Sequence, residues 1–282
     1  MKHHLAGLKG NQAAKCIRGI SNVISTIILT GTMLTILLIA SFVSLSILSA
    51  QLVNTEFEQA KSNMLLLDTT VQDAALRPGA GGYVQFNMRE GGIGLLNQTT
   101  EALSIYATNG TMGATTNDTD FTTYSANFNN LFQFVYSGGS LASAAVDSSS
   151  GYTSLRGDLS YAYVNMTQGL GFLRLEQDNG AKIKLDYDRV RIVSTGLIDS
   201  QTNLVQVNFI HLIKGATSGS GTVNVQVQNI QTNTATWRFP NGTVSFTVEH
   251  NTIPPSYYSV TQPDANQTVV IFSEIQIRVT IT

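Results

Sequence analysis

Between Arg18 and Glu56 the chain carries no ionisable side chain: residues 19 to 55 read GISNVISTIILTGTMLTILLIASFVSLSILSAQLVNT. As a helix rising about 1.5 Å per residue, this run is about 55 Å long against a hydrocarbon core of about 30 Å. It is long enough to cross a bilayer with residues to spare. A helix apolar on every side belongs in lipid or deep inside a large protein, and the flanks here favour lipid. Lys2, Lys9, Lys15 and Arg18 precede the run with no acid among them, which predicts a cytoplasmic N-terminus and a chain lying outside from Glu56 onward.

Two fates are open to such a segment, removal as a secretory signal or retention as a helix. Its apolar part exceeds the roughly 7 to 15 residues of an ordinary signal-peptide core. Late cleavage points lack the small-x-small pattern, because Leu38 and Leu48 stand upstream of Ala40 and Ala50. A third possibility is a cut before the apolar run. The segment KCIRGISNVISTIILTGTMLTILLIA resembles the class III signal of archaeal type IV pilins and archaellins, in which a basic residue and Gly precede an Ile-Ser start and a long apolar helix. The resemblance covers about 30 residues. It implies a prepilin peptidase cutting between Gly19 and Ile20 after recognising Arg18, a basic leader over residues 1–19, and partners that are copies of this chain or other pilin-like subunits. Bacterial members carry Glu at the fifth mature position, where this chain has Ile24. The mature chain from Ile20 to Thr282 is also larger than a typical archaeal major pilin, which points to a minor, pseudopilin-like or adhesive member.

Charge and cysteine agree with export. Residues 1–19 hold four of the 16 basic side chains and none of the 18 acidic ones, so the remainder is acidic. Nucleic-acid binding, which needs clustered Lys and Arg, is excluded as an expectation. The one cysteine, Cys16, lies in the leader, so the mature chain can form no disulfide.

Beyond the apolar run, Phe57, Ala60, Met64, Leu67, Val71 and Ala74 recur at three- and four-residue steps with Glu58, Lys61, Asp68 and Asp73 off that stripe. One helix is therefore predicted from about Ile20 to Leu76, within a segment of residues 20–77 that Arg77-Pro78-Gly79 terminates. Residues 78–282 read as an extracellular β-rich domain of sandwich-like, mainly antiparallel build, making the fold α+β. Two hairpins are expected. A three-residue loop Asp178-Asn179-Gly180 sets Leu175 opposite Ile183, Leu173 opposite Leu185 and Glu176 opposite Lys182, and a two-residue Asn241-Gly242 turn sets Phe239 against Val244, Trp237 against Phe246 and Arg238 against Ser245. Val223, Val225 and Val227 share one strand face. Ile271, Ile275, Ile277, Val279 and Ile281 are expected to share another, with Glu274, Gln276 and Arg278 opposite. Residues 110–125 and 138–151 read as exposed loops, and residues 79–160 could hold a separate subdomain.

No catalytic residue is identified. His211 and His250 are the only histidines after the leader and have no metal-ligand spacing, and there is no HExxH, GxSxG, P-loop or CxxCH motif, so neither enzyme chemistry nor a cofactor is expected. The carboxylates Glu176, Asp178, Asp186 and Asp188, interleaved with Arg174, Lys182 and Lys184, admit a calcium site around Asp178 or, more ordinarily, a solvated face of cross-strand ion pairs. The second reading is adopted, with no metal assigned. Phe132, Phe134 and Tyr136, like Tyr161 and Tyr163, keep the two-residue spacing of core strands rather than of a sugar-binding platform. Six N-glycosylation sequons begin at Asn97, Asn109, Asn117, Asn165, Asn241 and Asn266. A chain this rich in Asn, Ser and Thr yields about four by chance. Asn109, Asn117 and Asn241 are placed in turns. Within the apolar helix, Ser25, Thr26, Thr30, Gly31, Thr32 and Thr35 are small enough to let neighbouring helices approach. Two functions follow from these readings: a structural subunit of a surface filament or pseudopilus, or a permanently anchored adhesin or ligand-binding protein.

Overall fold

A computed structural model describes residues 10–98, 101–110, 122–158, 160–163, 169–251 and 253–282. The chain divides into two units, Met1–Leu52 and Val53–Thr282. Helix α1 spans Gly10–Ala75, starting earlier than the sequence suggests because neither Pro nor a strong turn signal interrupts residues 10 to 20. In its first unit every side chain from Asn22 to Leu52 is exposed, and the segment is apolar and long enough to span a membrane.

From Val53 the helix changes character. Phe57, Ala60, Met64, Leu67, Val71 and Ala74 are all buried, as the three- and four-residue spacing requires of one helical face. The last turn closes with bonds from Leu76 N to Asp73 O and from Arg77 N to Ala74 O. Gly79 then takes a φ of +78°, open to glycine at little cost, and its N–H donates to Asn229 O. Asn229 Nδ2 reaches back to the helix carbonyl of Ala74 at 3.3 Å.

Among the described residues, fifteen strands follow. In chain order they are β1 Gly81–Met88, β2 Gly92–Gln98, β3 Leu103–Asn109, β4 Thr123–Phe128, β5 Leu131–Ser137, β6 Tyr152–Arg156, β7 Ala162–Tyr163, β8 Phe172–Gln177, β9 Ala181–Asp186, β10 Val190–Leu197, β11 Thr202–Thr217, β12 Gly221–Phe239, β13 Thr243–His250, β14 Ile253–Thr261 and β15 Gln267–Ile281. Among the described residues they form three sheets, ordered β1-β12-β15-β11-β10-β7, β14-β13-β3-β4 and β2-β5-β9-β8-β6. Pairing is antiparallel except for β11 with β15 and β10 with β7. The fold is α+β, a long apolar helix followed by a mostly antiparallel β domain.

The six-stranded sheet serves two cores on opposite faces. Side chains alternate between faces along a strand, and in β15 the buried positions change parity midway: Val270 and Phe272 enter one core, Ile275, Ile277, Val279 and Ile281 the other. β11 does the same, Val205, Val207 and Phe209 against Ile210 and Leu212. β12 keeps its parity, with Val223, Val225 and Val227 in one core and Trp237 and Phe239 in the other, because a bulge between Asn229 and Gln231 turns the strand over. One core joins this sheet to α1 and the five-stranded sheet. The other joins it to the four-stranded sheet. The expectation of a single buried face along β15, with Ile271 on it, is thus corrected: Ile271 is only half-buried.

The β8–β9 hairpin has the expected register in every pair, with Asn179 at φ +52° and Gly180 at φ +137° in its loop. The β12–β13 hairpin does not form. Trp237 pairs with Val270 and Phe239 with Thr268 in the six-stranded sheet, while Val244 and Phe246 pair with Val260 and Tyr258 in the four-stranded one. Pro240, Asn241 and Gly242 carry the chain from one sheet to the other. Residues 79–160 form no subdomain, since they supply strands to all three sheets. The loop expected to run to Ser125 gives way to β4 at Thr123, which extends the four-stranded sheet beside β3.

Candidate functional site

Three sheet-to-sheet connections cross at one place, and the polar residues they carry face each other there. Asp186 ends β9, and Asp188 and Arg189 lie on the short link to β10, where Val190 N donates to Tyr161 O. Glu101 precedes β3. His250 ends β13 and is paired with Leu103 of β3. Gln98, Glu101, Tyr161, Arg174, Asp188 and His250 are among the residues lining a cavity of about 170 Å³. Asp186, Asp188, Arg189 and His250 are all buried.

Burial of charge demands partners, and most are visible. Asp186 receives both Arg174 Nη1 and Arg189 Nη1. Arg189 also donates Nε to Asp158 O at 3.0 Å and lies 4.4 Å from the ring centre of Phe172 and 5.3 Å from that of Tyr161. Burial works against the charge of Arg174, but Asp186 and Glu176 more than offset it, so its pKa is raised. Burial, and then the Asp186 carboxylate, push Asp188 well above the usual carboxylate range. The His250 ring stacks on Tyr161 at 4.9 Å and 9°, and its Nε2 lies 3.4 Å from Glu101 Oε2. Glu101, Asp188 and His250 each present a ligand-type atom, all within 4.8 Å of one another.

The four carboxylates considered together in the sequence therefore part company. Glu176 pairs with Arg174 at 2.5 Å and with Lys184, and Asp178 pairs with Lys182 at 2.7 Å, the cross-strand ion pairs expected of a hairpin. Asp186 and Asp188 instead turn into the sheet junction, so only part of the group is a solvated face. Among the described residues, Asp178 belongs to no group of three ligand-type side chains close enough to share an ion.

Two further carboxylates lie inside rather than on the surface. Asp68 is fully buried, accepting from Tyr187 Oη at 2.9 Å and Gln72 Nε2 at 2.7 Å, with Arg156 at 3.0 Å. Burial raises its pKa despite these partners. Glu56 accepts from Glu90 N, Gly91 N and Tyr136 Oη. The expectation that Asp68 lies off the apolar stripe is corrected: it stands four residues after Met64 and three before Val71, a spacing that puts it on the stripe's own face.

Of the other expected positions, Arg18, Gly19 and Ile20 lie in the helical backbone of α1, with side chains outside the described set. Ser25, Thr26, Thr30, Gly31, Thr32 and Thr35 are exposed. The hydroxyls of Thr26, Thr30, Thr32 and Thr35 donate to carbonyls of their own helix, which satisfies them without a neighbour. At about 100° per residue the six positions spread round the helix and make no single seam. Phe134 and Tyr136 are core residues of β5, Phe132 is half-buried against them, and Tyr161 belongs to the junction; the Tyr163 side chain lies outside the described residues. Among the sequons, Asn97 and Asn266 are exposed, whereas Asn109 and Asn241 are half-buried. Asn241 stands in a sheet-to-sheet turn rather than at a hairpin tip, its Oδ1 accepting from Thr243 N. Asn117 and Asn165 lie outside the described residues.

No protein-family model, no curated protein and no solved structure matches this chain.

Proposed function

We propose that the chain is a structural, non-enzymatic subunit of an archaeal type IV pilus-like filament or pseudopilus, stored in the membrane by α1 and assembled through it. One observation carries this reading: α1 is a single element whose residues Asn22–Leu52 are all exposed and free of charge, while its stripe from Phe57 to Ala74 is core of the β domain. In such a subunit, side-by-side association covers the apolar surface that lipid covered before. Small residues distributed round the helix suit a position with neighbours on several sides. The class III-like segment supports cleavage after Gly19 by a prepilin peptidase. It also supports a β domain carried outside, where the exposed sequons Asn97 and Asn266 are open to glycosylation. The buried cluster shared by the four-stranded and six-stranded sheets supports a sandwich-like reading of that domain.

The runner-up is a permanently anchored adhesin or ligand-binding protein. A cavity of about 540 Å³ favours it, lined by residues including Gln72, Leu76, Arg191, Gln206, Asn208 and Ile275, within the size range of small-molecule sites.

Mass spectrometry of the protein recovered from cells separates the two. Filament assembly expects Ile20 as the N-terminal residue, with Gly19→Val accumulating uncut precursor. Electron microscopy of sheared surface material should then show filaments containing the chain. Gly31→Leu should abolish them while the membrane-fraction blot stays unchanged, since Leu favours insertion but holds helices apart. An intact N-terminus with monomers only in membranes leaves the anchored binding protein as the better account.

A further inference from the structure

We propose that Glu101, Asp188 and His250 form a binding site for a divalent transition-metal cation of the zinc class, which staples the junction of the three sheets. Their ligand atoms already lie within 4.8 Å of one another, and the Nε2–Oε2 pair at 3.4 Å has the separation that two ligands keep around tetrahedral zinc, where bonds of about 2.0–2.2 Å put neighbouring ligand atoms roughly 3.4 Å apart. All three are among the residues lining the cavity of about 170 Å³, which has room for a water molecule as a fourth ligand.

The donor set selects the ion. Calcium and magnesium prefer oxygen alone, whereas imidazole with two carboxylates suits zinc and its neighbours. The surroundings support a cation as well. Arg174 and Arg189, which line the same cavity, are both ion-paired to Asp186, and the ligand atoms of Glu101 and Asp188 lie within 4.8 Å of that of His250. A metal-binding imidazole needs its ring held in plane, and stacking on Tyr161 at 9° does that here.

The ligands stand on the approach to β3, on the β9–β10 link and at the end of β13, so only the folded β domain brings them together. Binding therefore stabilises that fold. With its sole cysteine at position 16, the β domain has no disulfide with which to do the same.

The test uses the full chain in detergent, stripped with chelator and dialysed, in a Cys16→Ser background that removes a competing thiolate. Bound zinc is counted by elemental mass spectrometry and unfolding is followed with heat. The parent should hold one more zinc per chain than Asp188→Asn or Glu101→Gln. At free Zn²⁺ about a hundred times Kd, its Tm should rise by roughly 5–10 °C, and by much less in either variant. Asp188→Asn keeps the buried shape, and Glu101→Gln alters a half-exposed side chain, so both should fold. Two outcomes overturn the proposal: variants that hold as much zinc and gain as much Tm as the parent, or a parent that responds equally to calcium.

Discussion

Two chain reversals in the β domain offer the same apolar matching and end in different structures. At Asp178-Asn179-Gly180 the chain folds back on itself and β8 pairs with β9; at Pro240-Asn241-Gly242 it leaves the six-stranded sheet and enters the four-stranded one. Phe239, Trp237, Val244 and Phe246 still share a core, but from different sheets. Matching apolar residues are therefore required both of partners within a sheet and of residues facing across layers, and cannot tell one from the other. The glycines differ accordingly. Gly180 has open space round its missing Cβ and is needed for its φ of +137°. Gly242 has no left-handed φ, but a Cβ there would strike the carbonyls of Gln262 and Ala265. One serves conformation and the other close approach.

The most damaging way to probe the second reversal is Trp237→Ala. Trp237 is stacked between Tyr124 at 5.6 Å and Phe272 at 5.2 Å, and its loss should cost about 3–5 kcal/mol in chemical or thermal unfolding. A double-mutant cycle sharpens this. Trp237→Ala combined with Phe272→Ala should show coupling of about 0.5–1.5 kcal/mol. Strict additivity would argue against the Trp237–Phe272 stack, and with it against the seating of Trp237 beside β15.

Next come the glycines themselves. Gly242→Ala forces backbone to move and should cost about 1–3 kcal/mol. Gly180→Ala should cost about 1 kcal/mol, paid only in backbone strain. Replacement of Gly180 by D-alanine, which favours positive φ, should recover most of that loss, while the same replacement at Gly242 should recover none. Equal rescue at both sites would erase the distinction between the two turns.

The smallest expected effect lies at Glu274, where β15 changes from one core to the other. Burial works against its carboxylate, but hydrogen bonds from Asn233 and the His211 ring at 2.9 and 2.8 Å, with Gln276 at 3.0 Å, outweigh it and lower the pKa. A lowered folded-state pKa gives stability that is present above the unfolded value near 4.5 and is lost as pH falls through the folded value. Glu274→Gln should therefore flatten the acid limb of the stability profile. Asp68 has the opposite sign: its raised pKa makes its contribution full below the unfolded value near 3.8 and lost as pH rises through the folded value. Asp68→Asn should narrow the gap between acidic and neutral stability. Unfolding measured across pH 3 to 7 checks both; parallel profiles for parent and variants would show that neither carboxylate titrates differently on folding.

What was legible in the sequence was local. The helix stripe from Phe57 to Ala74 follows from a 3.6-residue period, the stop at Arg77-Pro78-Gly79 from proline and glycine chemistry, and the β8–β9 register from a three-residue loop joining two alternating strands. The apolar run of residues 19–55 is likewise membrane-length whatever the rest of the chain does. Tertiary structure decided which layer covers each face. β15 and β11 are covered on one side near their starts and on the other near their ends, a property of their neighbours that alternation within the strand cannot carry. The parallel pairing of β11 with β15 and the meeting of Glu101, Asp188 and His250 arise in the same way, between residues far apart in the chain whose approach costs loop entropy and is stabilised only when both cores form around the shared sheet.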